Sequence, residues 1–199
     1  MKNELMSKKR EETLKKIVIN EWNFFTNVNN IGKRAYCQDN SFTFIYSRLC
    51  YWNIYNDIIL ASYLNDLENA KNDNRNLVTE KYAYMMQYTD PEYFNKIKKY
   101  LPPISDYKKN TVNSIMLIYM NWEEEIKKNN PELLDNNRDL YNPSQSAAKT
   151  TIEYYFKGEL SSYSESTLNL ILKYYLSAFQ KGINLVEKNL KYLREENLW

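Results

Sequence analysis

Chemically active side chains are concentrated between residues 29 and 40, where two cations precede a thiol and a carboxylate. Lys33 and Arg34 lie close in sequence to Cys37, and neighbouring positive charge favours the thiolate form of a cysteine. Cys37 is therefore a candidate nucleophile, and Asp39 is a candidate acid or base. The alternative is a buried, inert thiol, since cysteine is among the most buried residue types and the sequence offers Cys37 no identifiable base. We favour the buried thiol.

Arginine side chains belong to the same region of the chain. Arg34 and Arg48 can each hold a carboxylate or a phosphate through two parallel hydrogen bonds. The alternative is an internal ion pair, because Asp39 or Glu21 could neutralise either arginine without any ligand. We favour the internal pair. The candidate ligand contacts of this region are Arg34, Gln38, Arg48 and Trp52.

A second polar segment, Asn74 to Tyr84, has the sequence NRNLVTEKYAY. The Asn-rich turn before Leu77 predicts that a helix begins there. Glu80 would then lie near a helix N-terminus, where glutamate ordinarily stabilises the helix dipole; a catalytic acid or base is the competing interpretation. Asn76 and Lys81 are further candidate ligand contacts. A helical bundle that brought this segment against residues 29–40 would form one polar site between helices.

The absence of histidine excludes several reaction classes. Without histidine the chain cannot supply Ser-His-Asp or Cys-His catalysis, H-E-x-x-H zinc chemistry or a two-His-one-carboxylate iron site. Cys37 and Cys50 form no C-x-x-C pair, which leaves no zinc knuckle or disulfide framework. The acidic run Glu123 to Glu125 lacks the histidines of a di-iron bundle and is interpreted as a solvated helix face. We therefore predict no metal and no cofactor.

Composition indicates the class of protein. Of 199 residues, 43% are hydrophobic and 26% charged, which is typical of a chain with one buried core. Three glycines and five prolines are too few for the many tight turns of an all-β protein. No stretch reaches the roughly 18 apolar residues of a membrane span, and the charged N-terminus lacks a secretory signal, so we expect a cytoplasmic protein with no membrane partner. A net charge of +2, with interleaved acidic residues, disfavours nucleic-acid binding.

Hydrophobic periodicity predicts helices along most of the chain, because apolar residues recur three and four positions apart. The predicted N-terminal caps are Ser41, Asp90, Ser105, Asn130 and Ser164. The predicted helices cover about residues 4–28, 41–67 with a bend at 53–57, 77–87, 91–100, 105–126, 131–134, 150–160 interrupted near Gly158, and 164–193. Asp135 to Lys149 is predicted to be a loop. We predict an all-α protein, a single-domain bundle of about six to eight helices spanning residues 1–199.

Four stretches match the pattern of one protein family. They are E-W with V-N-N and G-x-R-A-x-C-Q-D from Glu21 to Asp39, R-N-L-V-T-E-K-Y-A from Arg75, L-P-P-I-S from Leu101, and G-E-L with Y-S from Gly158. On these stretches the chain resembles the bacterial family called domain of unknown function 4125. The resemblance implies an all-helical protein with no assigned reaction. Its motif positions here are Arg34, Cys37, Gln38, Asp39, Asn76, Glu80 and Lys81.

The resemblance has a further implication for partners. It connects the chain with nucleotidyltransferase-like domains, which would make it an accessory module of such an enzyme. Helical toxin ribonucleases that accompany these enzymes use an R-x-x-x-x-H motif, and the lack of histidine excludes that activity in its usual form. Lys33 and Asn40 depart from the family pattern, so the resemblance assigns them no role.

Two functions follow as expectations. The first is a protein or enzyme that binds a small anionic metabolite in a polar site between residues 29–40 and 75–84. The second is a non-catalytic helical module with a protein partner, in which the motif residues form a buried hydrogen-bond network. Burial and mutual hydrogen bonding of the motif residues would favour the second function.

Overall fold

The structure is a computed structural model that describes residues 2–28, 34–135, 140 and 150–195, with side chains from residue 8 to residue 194 of these ranges. This part of the chain contains nine α-helices and no strand. The helices are α1 Lys2–Thr26, α2 Ser41–Asn53, α3 Asp57–Asn72, α4 Leu77–Thr89, α5 Pro91–Ile97, α6 Asp106–Asn129, α7 Ile152–Ser162, α8 Glu165–Gln180 and α9 Leu185–Glu195. Three 3₁₀ turns are Tyr36–Asp39, Lys98–Tyr100 and Pro131–Leu134. The predicted all-α class is confirmed, whereas Lys33 and most of the predicted 135–149 loop lie outside the described residues.

Side-chain caps begin several helices at the predicted places. Three predicted caps are confirmed, because their side chains accept a hydrogen bond from the backbone N–H three residues further on. They are Asp90, Ser105 and Ser164. The prediction for Ser41 is wrong by one residue, since Asn40 Oδ1 accepts from Thr43 N at 3.2 Å. The predicted cap Asn130 makes no such bond, and its Nδ2 donates to Glu187 Oε1 at 3.0 Å instead.

Two of the predicted long helices are divided. Asn56 Oδ1 accepts from Ile59 N at 3.0 Å and starts α3, at the predicted bend. Gly182 has φ 67°, and the N–H of Ile183 donates to Ala178 O at 2.9 Å, which ends α8. A residue in the left-handed region is a common helix terminator, and glycine adopts that conformation without strain. The prediction of a single helix over 164–193 is therefore wrong. The apolar periodicity continues beyond Gly182, but the backbone conformation at this glycine ends the helix.

α7 runs unbroken through Gly158, so the predicted interruption there is wrong. The glycine permits close packing instead. A Cβ atom at Gly158 would lie 2.6 Å from the backbone oxygen of Lys81 and 3.1 Å from Met85 Cβ, both on α4. The backbones of α4 and α7 therefore nearly touch, and this pair makes an extensive helix contact.

An aromatic core lies where α2, α3, α7 and α8 meet. Trp52 and Tyr63 stack with ring centroids 4.0 Å apart, and Tyr163 packs 4.7 Å from Tyr63. Tyr55 and Tyr175 lie beside them, each 1% exposed, and their hydroxyls are 3.0 Å apart. None of the described helices combines the length and the apolar character needed to cross a membrane.

We expect Gly158→Ala to lower the free energy of unfolding by about 2–3 kcal/mol, because a methyl group would force the α4 and α7 backbones apart. Urea denaturation followed by circular dichroism measures the change. Gly182→Asn is the matched control. Apart from the two chain neighbours, no described atom lies within 4 Å of a Cβ there. Asparagine tolerates the left-handed conformation, so the cost should stay below about 1 kcal/mol. An unchanged midpoint for Gly158→Ala would contradict the close approach of the two helices.

Candidate functional site

Four charged side chains from four helices meet inside the bundle, and we call them the buried charge cluster: Glu21 of α1, Arg48 of α2, Lys81 of α4 and Glu159 of α7. Arg48 Nε and Nη2 donate to the two carboxylate oxygens of Glu21 at 2.8 and 2.6 Å. Arg48 Nη2 also donates to Glu159 Oε1 at 2.8 Å. Lys81 Nζ donates to Glu159 Oε2 at 2.6 Å. Two carboxylates thus neutralise two cations within one network.

Aromatic side chains complete the hydrogen bonding of both carboxylates. Tyr63 OH and Trp52 Nε1 donate to Glu21 Oε1 at 2.9 and 3.0 Å. Tyr163 OH donates to Glu159 Oε1 at 2.7 Å. Each of the four carboxylate oxygens therefore accepts at least one hydrogen bond, which offsets the cost of removing the two charges from water.

The buried charge cluster keeps Arg48 and Glu159 ionised. Burial alone would raise the pKa of the Glu159 carboxyl, but the positive charges of Arg48 and Lys81 outweigh burial and hold that pKa well below its ordinary value. Burial alone would lower the pKa of the Arg48 guanidinium, but the carboxylates of Glu159 and Glu21 raise it well above its usual range. Burial is the main cause of the raised pKa of Tyr63. Arg48 and Glu159 consequently carry their charges throughout the physiological pH range.

A small cavity opens beside Arg48 and Lys81. Its volume is about 40 Å³, and a single water needs roughly 10–15 Å³, so the cavity holds only a few waters. Tyr155 lines it, with Lys81 Nζ 3.6 Å from the centroid of that ring. The cavity as it stands admits water rather than a metabolite.

Three predicted ligand contacts donate hydrogen bonds to the end of α1, and their role in ligand binding stays a prediction. The side chains of Arg34, Gln38 and Asn76 donate to backbone carbonyls at the C-terminal end of this helix, over distances of 2.8 to 3.0 Å. The accepting carbonyls are those of Phe24, Phe25, Thr26 and Val28. The last carbonyls of a helix lack i+4 partners within it; Phe24 O and Phe25 O accept from the backbone N–H groups of Asn27 and Val28, and the amide and guanidinium groups supply further donors. We call this arrangement the α1 cap.

The predicted catalytic side chains make separate contacts. Cys37 is exposed, so its interpretation as a buried thiol is wrong. Asp39 Oδ1 accepts from Arg34 Nε at 2.8 Å on the surface. Glu80 is buried and accepts from Arg75 Nε and Nη2, both at 2.8 Å. Within the described ranges no hydrogen bond or ion pair joins Cys37 or Asp39 to Glu80, and a shared catalytic site stays a prediction.

Residues 11–197 match the family model described as "Protein of unknown function (DUF4125)". The chain belongs to the DUF4125 family. This match covers nearly the whole chain, so the resemblance seen in the motif stretches is confirmed. No curated protein and no solved structure matches the chain.

The DUF4125 stretches E-W, E-K-Y-A and G-E-L each contribute one charge to the buried charge cluster, namely Glu21, Lys81 and Glu159. The sequence points to Arg48, Lys81 and Trp52 as ligand contacts, and the structure brings these three together around two carboxylates. Sequence reasoning missed Glu159. Its only signal is a carboxylate inside the motif G-E-L, because the partner Arg48 lies 111 positions away along the chain.

Glu123 departs from the predicted solvated acidic run. It is 0% exposed, whereas Glu124 and Glu125 are exposed. Its Oε1 accepts from Tyr119 OH at 2.8 Å, and its Oε2 has no hydrogen-bond partner in the described structure. Burial raises the pKa of the Glu123 carboxyl to about 7. The prediction of a solvated run is therefore wrong for Glu123, because the side of α6 that carries it packs into the bundle.

Glu159 should make the stability of this DUF4125 protein sensitive to acid. Its folded-state pKa lies below the unfolded value, so its contribution is complete above about pH 4.5 and is lost as the pH falls below that value. We expect Glu159→Gln to lower the free energy of unfolding by about 3–5 kcal/mol at neutral pH, since Arg48 and Lys81 would then share one carboxylate. The deficit should shrink in acid. Urea denaturation at neutral pH and near pH 3.5 measures both values.

The matched control for Glu159→Gln is Glu153→Gln on the same helix. Glu153 pairs with Lys157 at 2.7 Å in a partly exposed position, so its replacement should cost no more than about 0.5 kcal/mol. A deficit for Glu159→Gln that stayed constant with pH would mean that the carboxylate is not held ionised by its partners.

Glu123 should have the opposite pH dependence. The pKa of the Glu123 carboxyl is about 7 in the folded state, above the ordinary 4.5 of the unfolded chain. The folded state therefore binds the carboxyl proton more tightly than the unfolded state does, and the protein loses stability as the pH rises from 4.5 to 7. Glu123→Gln keeps an acceptor for Tyr119 and stays neutral. We expect it to stabilise the protein by about 1–3 kcal/mol near pH 8 and by much less near pH 5. Thermal melts at both pH values measure this, with exposed Glu92→Gln as control. A Glu123→Gln variant that was destabilised at both pH values would refute it.

Proposed function

We propose that this DUF4125 chain is a non-catalytic helical module that acts by binding a partner, while the polar motif residues of the family stabilise its fold. The mutual neutralisation of the buried charge cluster carries this proposal. A general acid, base or nucleophile needs an atom that can reach a substrate. The oxygens of Glu21 and Glu159 are instead hydrogen-bonded to neighbouring side chains, and those of Glu80 are hydrogen-bonded to Arg75.

The remaining motif residues support the same proposal. The Gln38 and Asn76 side chains donate to carbonyls at the end of α1. Arg34 donates to Thr26 O at the same end and to the Asp39 carboxylate. An anion that bound Lys81 would compete with Glu159, which already accepts from Lys81 Nζ, and a buried carboxylate that lost its partner would cost several kcal/mol. Apart from the exposed Cys37, the motif residues are thus committed to contacts within the chain.

Exposed apolar side chains on α8 support a protein partner. Leu176 and Phe179 are three positions apart on one helix face and are 44% and 47% exposed. Ile183 follows the helix and is 46% exposed. Phe179 also lines, with Asn121 of α6, an open groove of about 500 Å³. Clustered exposed apolar groups favour association with another protein, and the family resemblance makes a nucleotidyltransferase-like protein the first partner to test.

The second candidate function is binding of a small anionic metabolite between the 29–40 and 75–84 segments. The cavity beside Arg48 and Lys81 supports only the 75–84 side of such a site, because Leu77, Val78 and Lys81 line it whereas none of its described lining residues belongs to 29–40. Cys37, Asp39 and Glu80 would supply nucleophilic or acid-base groups at the edge of such a site. In either case we propose a cytoplasmic location, which the free thiols of Cys37 and Cys50 support, since reducing compartments keep cysteines in that form.

A thermal-shift screen of anionic metabolites separates the two functions. If the chain is a non-catalytic module, any metabolite that raises the melting temperature of the wild type should also raise that of Cys37→Ala and of Lys81→Met. Each protein is compared with its own ligand-free melting temperature. A metabolite that raises the melting temperature of the wild type but of neither variant contradicts this proposal and favours the anion site.

The same experiment has a partner arm. Co-expression with a nucleotidyltransferase-like protein of the same genome, followed by size-exclusion chromatography, should give a complex with the wild type. Phe179→Asp should abolish it, because a buried charge opposes association. Exposed Ser166→Ala, ten positions before Leu176 on the same helix, is the control and should leave the complex intact. If the wild-type chain and the nucleotidyltransferase-like protein eluted separately, that protein would be rejected as the partner.

A further inference from the structure

A larger cleft lies apart from the buried charge cluster, between α4, α5 and α6. The segment 101–104, which joins the 3₁₀ turn Lys98–Tyr100 to α6, forms one side, and Ser161 of α7 reaches it from another. Its volume is about 310 Å³, within the range of roughly 300–1,000 Å³ that is typical of small-molecule sites. We call it the Pro102 cleft. Unlike the cavity of about 40 Å³ beside Lys81, it can enclose a metabolite.

Positive charge lines the Pro102 cleft without an opposing carboxylate. Lys98 and Lys109 are both in its wall, and none of the described residues that line it is Asp or Glu. Neither lysine forms an ion pair within the described structure. Lys98 Nζ donates to Asn95 Oδ1 at 3.0 Å, which is a neutral group. Two unneutralised cations in a concave surface attract an anion, in contrast to the paired cations of the buried charge cluster.

Most of the remaining wall is apolar. Phe94, Leu101, Ile104 and Val112 line the cleft. Tyr88 adds an aromatic face, and its ring is held in place by stacking on Tyr154 with centroids 4.9 Å apart. A ligand that placed its anionic group at the lysines would therefore bury hydrocarbon against these side chains, which favours binding in proportion to the area removed from water.

The Pro102 cleft is formed before any ligand arrives. Tyr84 OH donates to the backbone oxygen of Pro102 at 2.7 Å, which ties the segment to α4. Pro102 and Pro103 restrict the backbone of the same segment, and the Ser105 side chain caps the helix that follows. A wall that is already ordered loses little conformational freedom on binding.

We propose that the Pro102 cleft binds a small organic anion, with a carboxylate or phosphate group held by Lys98 and Lys109 and an apolar body about the size of a fused ring against Phe94, Ile104 and Val112. This site goes beyond the proposed function and is independent of it, because none of its lining residues belongs to the buried charge cluster or to the α1 cap.

Isothermal titration of the full chain with three matched probes tests the proposal: 2-naphthoate, 2-naphthyl phosphate and the neutral 2-naphthamide. At least one anion should bind with a Kd below about 1 mM, and the amide should bind about tenfold more weakly or not at all, since it lacks the charge that the lysines recognise. Whichever anion binds more tightly identifies the group that the cleft prefers. Equal affinity for the amide, or no binding of either anion at millimolar concentration, would overturn the proposal.

Substitutions locate the binding. Lys98→Met and Lys109→Met should each weaken binding of the preferred anion about tenfold. Both lysines are exposed, so neither change removes an interior contact. Lys96→Met is the matched control, because Lys96 is an exposed neighbour that does not line the cleft. Exposed Asn113 does line it, and Asn113→Trp should block binding by filling the space. Equal weakening by Lys96→Met, or undiminished binding in Asn113→Trp, would place the anion elsewhere.

Discussion

The arrangement of this bundle depends on keeping four interior charges paired. Glu21, Arg48, Lys81 and Glu159 come from α1, α2, α4 and α7, so four helices each have to bring one charge to the same point. Removing an ion from water costs several kcal/mol unless a partner and further hydrogen bonds offset it. A helix that shifted away would leave its own charge and that of its partner unpaired. The pairing of these four charges therefore constrains where the four helices can lie relative to one another.

Backbone packing supports the same arrangement. The missing side chain at Gly158 lets α7 approach the backbone oxygen of Lys81, and the adjacent residue, Glu159, is the one that binds Lys81 Nζ at 2.6 Å. The glycine and the ion pair are thus two parts of one helix crossing. At the C-terminal end of α1, close to Glu21, the Gln38 and Asn76 side chains join the 34–39 segment and the start of α4 to the last carbonyls of that helix. Motif residues that resemble a reactive site in sequence serve here as connections between helices.

Cations occur in two kinds of environment in this molecule. In the buried charge cluster each cation faces a carboxylate, and the adjoining cavity holds only water-sized molecules. In the Pro102 cleft, Lys98 and Lys109 face no carboxylate among the described lining residues and border a space large enough for a small molecule. Recognition therefore fits the cleft and the exposed face of α8 better than the motif residues, since binding needs groups whose interactions are not already satisfied within the chain.

The sequence by itself determined the all-α class, several helix starts and the excluded chemistries. Apolar periodicity and caps such as Asp90 act within a few residues, and the lack of histidine needs no structure to interpret. Both internal pairs offered as alternatives, Arg48 with Glu21 and Arg34 with Asp39, are present. Only the tertiary structure decided which charges are buried: Glu159 meets a partner 111 positions away, and Glu123 turns inward. Burial and long-range pairing depend on how helices pack, and no local pattern of residues encodes that packing.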